Sequence, residues 1–146
     1  MKYNRYPKRD AIKNYFSLPN EIFSLGLTGG EILVYAFLMK CEDRKTFECH
    51  PSFKTIGEAI GASRNSVKKY VDGLVAKHLI TTEPTTVITK KGEKHNGTLL
   101  YKIRPIEEAI RYHYEQQMIR LDEEFRRPQV QVKLAEFDRK HPKMAV

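Results

Sequence analysis

The sequence predicts an α+β fold, mainly helical, built from three helices, a long β-hairpin and one long closing helix. Three observations predict it. Residues 28–78 hold three apolar stretches at helical spacing, separated by short breaks. Residues 79–103 switch to β-branched runs on either side of a polar tip with two glycines. From Ile106, one apolar stripe recurs at spacings of four, four, four, three and four as far as Phe125. With 40% hydrophobic residues in 146, the chain has enough apolar side chains for one domain-sized core, too many for a wholly disordered chain.

Each element has a local reason. Residues 1–15 read as an N-terminal arm. The run Phe16-Ser17-Leu18-Pro19-Asn20 looks like a short strand or turn. Asn20 is placed to cap a short helix over residues 21–25, which Gly26 would end. Thr28 with Glu31 three residues later fits a capping box. The helix that follows is apolar on most faces over residues 32–39, so it is expected to be the central buried one. Residues 41–49 read as a polar connection. Ser52 caps a second, short helix with Ile56, Ala59 and Ile60 on one face, and Gly61-Ala62 breaks it. Ser63 caps a third helix, from residue 64 to about residue 78. Its apolar positions are Val67, Val71, Leu74 and Val75; its opposite face carries Arg64, Asn65, Lys68, Lys69 and Asp72.

The long hairpin goes out through the runs 79–82 and 85–89 and returns over 98–103, joined through the tip at 90–97, and Pro105 ends the return. The closing helix carries Ile106, Ile110, Tyr114, Met118, Leu121 and Phe125 on its stripe. Glu107 and Glu108 near its start and Arg126 and Arg127 near its end suit the helix dipole. Pro128 is expected to stop it, leaving residues 128–146 as a polar tail with apolar anchors at Val130, Val132, Leu134 and Phe137. The organisation is therefore an arm (1–15), a core domain (16–104), a long helix (105–127) and a tail (128–146).

Charge narrows the function. Lys and Arg total 26 against 18 Asp and Glu, a formal net charge of +8. Residues 50–104 carry 10 basic and 4 acidic groups, whereas residues 105–146 carry 8 of each. An excess concentrated on the helix-turn-hairpin segment points to nucleic acid rather than to a membrane-lying helix, which would join basic residues to a broad apolar face. The longest apolar run has eight residues, too short for a membrane helix, and the N-terminus is polar. A soluble cytoplasmic protein is expected. Two cysteines exclude a disulfide scaffold. Cys41, Cys49 and His50 lack the paired short spacing of structural zinc, so ordinary thiols and no metal or cofactor are expected. Arg111-Tyr112-His113-Tyr114 comes without grouped carboxylates or a metal pair, which reads as helix packing rather than a tyrosine nucleophile, and no enzyme activity is expected.

Helix, tight turn, helix and basic hairpin in that order make a winged helix-turn-helix. Its second helix must offer polar and basic groups from its N-terminal half while the other face packs inward. Arg64 can reach guanine O6 and N7 with two parallel donors, and Asn65 can pair bidentately with adenine. Lys68 and Lys69 can reach bases or phosphates, with Ser63 and Ser66 beside them. Ser52, Lys54 and Thr55 begin the preceding helix and are placed for phosphate contacts. Lys90, Lys91, Lys94 and His95 make the hairpin tip a basic wing.

The run from Thr55-Ile56-Gly57-Glu58-Ala59-Ile60-Gly61-Ala62-Ser63-Arg64-Asn65-Ser66-Val67 to Leu74, Leu79 and Ile80 resembles the winged helix-turn-helix signature of bacterial regulators. With Phe16-Ser17-Leu18-Pro19 upstream, residues 16 to about 104 are similar to such proteins of plasmids and conjugative elements in Firmicutes. Those in turn resemble the N-terminal domain of plasmid replication initiator A proteins. His78 departs from the pattern, which usually has glycine where the reader helix ends in a left-handed residue. The resemblance implies a sequence-specific binder of double-stranded DNA that regulates transcription on a mobile element. The alternative is a replication initiator or replisome-organising protein binding origin repeats and recruiting a replication partner. A third reading is a winged domain used for protein contact alone. The stripe at 106, 110, 114, 118, 121 and 125 is the expected surface for a homodimer or a partner.

Overall fold

The computed structural model describes residues 15–142, so the expected arm lies outside the described residues except for Tyr15, as do residues 143–146 of the tail. After a 3-10 turn at Asn20–Ser24, the elements are α1 (Gly29–Cys41), β1 (Glu48–Cys49), α2 (Phe53–Ile60) and α3 (Arg64–Ala76). They continue with β2 (Ile80–Glu83), β3 (Thr86–Ile88), β4 (Lys94–Asn96), β5 (Leu100–Ile103), α4 (Ile106–Arg126) and α5 (Pro128–Lys140).

The helix starts are those the sequence marks. Thr28 Oγ1 accepts from the Glu31 amide at 3.2 Å, and Glu31 Oε1 accepts from the Thr28 amide at 2.9 Å, closing the capping box. Ser52 accepts from the Thr55 amide at 3.1 Å and Ser63 from the Ser66 amide at 3.2 Å. Between α2 and α3 the chain reverses through Gly61, whose φ of +74° is the left-handed conformation a glycine adopts without strain. The 3-10 turn differs from expectation. Asn20 is its first residue, Pro19 holds the cap position without a side-chain bond, and Ile22 is buried as its anchor.

Val34, Tyr35 and Leu38 of α1, Ile56 of α2 and Val67, Val71 and Leu74 of α3 meet in one core with Leu79, Ile80 and Tyr101 of the sheet. Val75, expected inward, is 38% exposed. It lies about 100° around the helix from Leu74, and three inward positions already cover the packed face of α3.

The sheet order is β1-β5-β2, antiparallel throughout, with Tyr101 opposite both Cys49 and Thr82. β1 falls in the stretch read as a polar connection. Two residues suffice to pair the free edge of β5, and Cys49 turns inward to the core. The hairpin is two segments rather than one. β2 stops at Pro84, which has no amide to donate, and a second ribbon resumes as β3 paired with β4. Lys94 and His95 therefore lie in a strand, not in the tip; the turn is residues 89–93, closed by the Thr89 amide on the Glu93 carbonyl.

α4 has 21 residues, a rod of about 31 Å. Its first turns dock through half-buried Ile106 and buried Ala109, and from Tyr114 onward its apolar stripe is exposed. Pro128 does end α4, but it also begins α5, since the missing amide costs nothing at the first helical position. Most of the expected polar tail is thus helical, and Val132, Leu134 and Phe137 are exposed on it.

Candidate nucleic-acid interface

Helix α3 is held from behind by a charge that the sequence does not advertise. The Glu31 side chain is 5% exposed, and its Oε1 accepts from Lys77 Nζ at 2.7 Å. Lys77 also donates to the Gly26 carbonyl at 3.0 Å, so one ammonium ties the end of α3 to the turn before α1 and to the first turn of α1. Burial alone raises the Glu31 carboxyl, but the Lys77 ammonium and the Thr28 amide and hydroxyl outweigh it and leave the group below its usual value. The two helices approach this closely because Gly73 and Gly30 carry no side chain. A Cβ at Gly73 would collide with Glu31 Oε2, and one at Gly30 with the Tyr70 ring.

On the opposite face, Arg64, Asn65, Lys68 and Lys69 are all exposed. Among the described residues none of these cations enters an ion pair. Ser66 is half-buried, and its hydroxyl accepts from Ser63 Oγ at 3.0 Å. Ser52 Oγ and Thr55 Oγ1 lie 2.9 Å apart in the same way at the start of α2. These hydroxyls serve the caps, so the donors the two helix starts present outward are chiefly backbone amides. Lys54 is exposed beside them.

The wing carries Lys90 and Lys91 on its turn and Lys94 on β4, all exposed, with His95 Nε2 3.3 Å from Glu93 between them. Val87 and Ile88, adjacent on β3 and so on opposite faces of the ribbon, are both exposed, which strand periodicity alone does not identify. An open cleft of about 500 Å³ separates the start of α2 from the wing, lined by Ser52, Phe53, Val87, Asn96, Thr98 and Tyr101. The Tyr101 hydroxyl is buried and unpartnered among the described residues.

The structure brings Ser52, Lys54 and Thr55 to one side of the Gly61 turn and residues 63–69 to the other, and it puts the wing lysines on a separate ribbon. The reader helix leads straight into the wing through His78, whose φ is +65°, the left-handed position where the resembling proteins have glycine. The His78 ring stacks on Tyr112 of α4 at 4.3 Å.

Other chemistry is sparse. Among the described residues no three His, Cys, Asp or Glu side chains converge as a metal site. Cys49 is buried with Sγ 3.6 Å from the Leu38 carbonyl, and burial, with Cys41 and Glu42 nearby, pushes its thiol up to about 12. No helix among the described residues is long and apolar enough to cross a membrane.

Comparison with known proteins agrees with this geometry. Residues 25–80 match a family described as a helix-turn-helix domain. No curated protein matches the chain. Among solved structures it is similar to a possible transcriptional regulator from Methanosarcina mazei Go1, at 18% identity over 70% of this chain and 80% of that one, TM-score 0.47. It is similar to a MarR-family transcriptional regulator from Silicibacter pomeroyi, at 18% identity over 86% and 78%, TM-score 0.40. It is also similar to the YusO protein from Bacillus subtilis, at 17% identity over 86% and 81%, TM-score 0.37. α1, α2 and α3 lie within the matched residues 25–80, and the β2–β5 hairpin that follows them completes a winged helix-turn-helix fold.

Proposed function

We propose that the chain is a non-enzymatic, sequence-specific binder of double-stranded DNA that works as a transcriptional regulator. The observation that carries this is the outer face of α3. Arg64, Asn65, Lys68 and Lys69 stand exposed and without ion pairs among the described residues, on a helix fixed at both ends by the Gly61 turn and the Glu31–Lys77 pair. Such a helix lies in the major groove with its N-terminal half on base edges. Ser52, Lys54 and Thr55 contact the flanking phosphates, and Lys90, Lys91 and Lys94 on the wing add further backbone contacts.

Two copies pair through α4. Ile110, Tyr114, Met118, Leu121 and Phe125 form an exposed apolar stripe too regular to be scattered surface residues, and antiparallel pairing opposes the two helix dipoles favourably. The dimer reads two half-sites about one helical turn apart. The mobile-element setting rests on the sequence resemblance, and a cytoplasmic location on the short apolar runs and polar N-terminus.

Selection of bound duplexes from a random DNA library tests the reading. An enriched inverted repeat supports the dimeric regulator. An enriched direct repeat moves the function to replication initiation at origin repeats. No enrichment, with no affinity left to titrate, overturns DNA binding and leaves a protein-interaction module.

A further inference from the structure

A second cleft lies away from the DNA face, where α4 leaves the core. It has a volume of about 360 Å³ and is walled by Tyr35, Met39, Phe47, Ile103 and Ile106, with Glu42 and Arg104 as its charged residues. That volume suits a small molecule, and apolar walls with few polar groups are the usual lining of such sites.

The two charges are not equivalent. Arg104 is engaged with Glu108 through two bonds, Nε to Oε2 at 3.1 Å and Nη2 to Oε1 at 2.7 Å. Glu42 has no ion pair among the described residues, and its Oε2 is out of solvent without a hydrogen-bond partner. Burial raises the Glu42 carboxyl and the Arg44 charge partly offsets this, so the cleft sets a carboxylate without an ion pair among the described residues against apolar walls. Tyr35 lines the same cleft as Glu42, and burial, joined by the Glu42 charge, pushes its phenol up to about 12. Phe47 adds a second mark. Its φ is +60°, a conformation an aromatic residue rarely adopts, and the residue is 53% exposed and lines the cleft. The backbone holds it there, with its amide on the Asp43 carbonyl at 2.7 Å and its carbonyl taking the Ile103 amide at 3.0 Å. Strained residues of this kind gather at ligand clamps.

We propose that this cleft binds a small organic amine, its ammonium on the Glu42 carboxylate and its aromatic or branched apolar body between Tyr35, Met39, Phe47 and Ile106. Because Ile106 is the first residue of α4, an occupant fixes the joint between α4 and the winged domain. That this changes the spacing of two reader helices rests on the DNA-binding reading; binding of the amine does not.

The test is a methyl and amide NMR titration of the full chain without DNA, using phenethylamine, its neutral isostere 2-phenylethanol and the anion 3-phenylpropionate. Phenethylamine is expected to shift Met39, Ile103 and Ile106 with a Kd of about 1 mM or tighter, about tenfold below that of the alcohol, and the anion not to bind. Glu42→Gln is expected to remove the preference for the amine while leaving the fold's spectrum in place. Equal binding of the three probes, shifts confined to other residues, or no saturable shift overturns the proposal. The wild-type comparison of amine with alcohol decides the matter even if the variant unfolds. A failed titration leaves the library selection unaffected, and a failed selection leaves the titration valid.

Discussion

Glu31 does two jobs with one oxygen. It completes the cap of α1, and it receives the ammonium that follows α3, so the orientation of α3 depends on a residue on the far side of it from Arg64 and Lys68. Glu31→Gln keeps the shape and removes the charge, leaving a half-buried Lys77 without its partner. A loss of about 1–3 kcal/mol in unfolding free energy is expected by urea titration. The native carboxyl titrates below the ordinary value of 4.5. Its contribution is therefore complete above that value, and it disappears as pH falls through the native pKa. The variant should show a flatter stability profile over that acidic stretch; an identical profile would remove Glu31 from the account. On the outer face, Arg64→Ala is expected to cost about 1–3 kcal/mol in DNA affinity and to relax preference at one base position. Equal loss on every sequence, measured by competition binding, would reassign Arg64 to the phosphates.

Between elements, the wing and the α3–α4 junction respond differently. The wing ribbon is tied to the core only through β2 and β5, and its lysines point to no partner among the described residues. Replacing Lys90 and Lys91 with Ala should weaken binding to all sequences alike and lower the slope of log affinity against log salt by up to about two. An unchanged slope would take the wing out of the contact set. At the junction, His78 sits in a left-handed conformation and stacks on Tyr112. The two effects oppose each other. His78→Ala keeps the strain and loses the stack, and is expected to destabilise by about 1 kcal/mol. His78→Gly removes both and should stay near neutral. Thermal unfolding of the pair of variants separates them: equal losses would mean that the left-handed strain does not matter there, and no loss in His78→Ala that the stack does not.

At the scale of the molecule, α4 is longer than its own domain can cover. Among the described residues of α4, Ala109 lies in the core and Ile106 packs against it, while Tyr112 stacks on His78 and Phe125 is 56% exposed near the far end. Leu121→Glu should leave the fold intact and shift a dimer toward monomer in analytical ultracentrifugation, because a carboxylate in a closing apolar seam is costly to desolvate. It should also weaken binding to an inverted repeat far more than to a single half-site. An unaltered sedimentation profile would leave the stripe to a different partner.

Much of this was legible in the order of residues. Caps, breaks and apolar spacing are local, and local sequence dictates them, so Thr28 with Glu31, Ser52, Gly61 and Ser63 mark the helix starts and the turn without help. The exposed basic face of α3 follows from the same periodicity. The misread positions are those where distant chain decides. β1 exists because β5 has an edge to pair, and the hairpin divides at Pro84 because a ladder there would lack a donor. Pro128 both ends one helix and opens the next, which depends on where the chain turns rather than on the residue itself. The Glu31–Lys77 pair spans 46 residues, and the Glu42 cleft gathers side chains from α1, the following loop, β5 and α4. Periodicity fixes which face of an element is apolar; only packing decides which charge finds a partner and which is left facing a cavity.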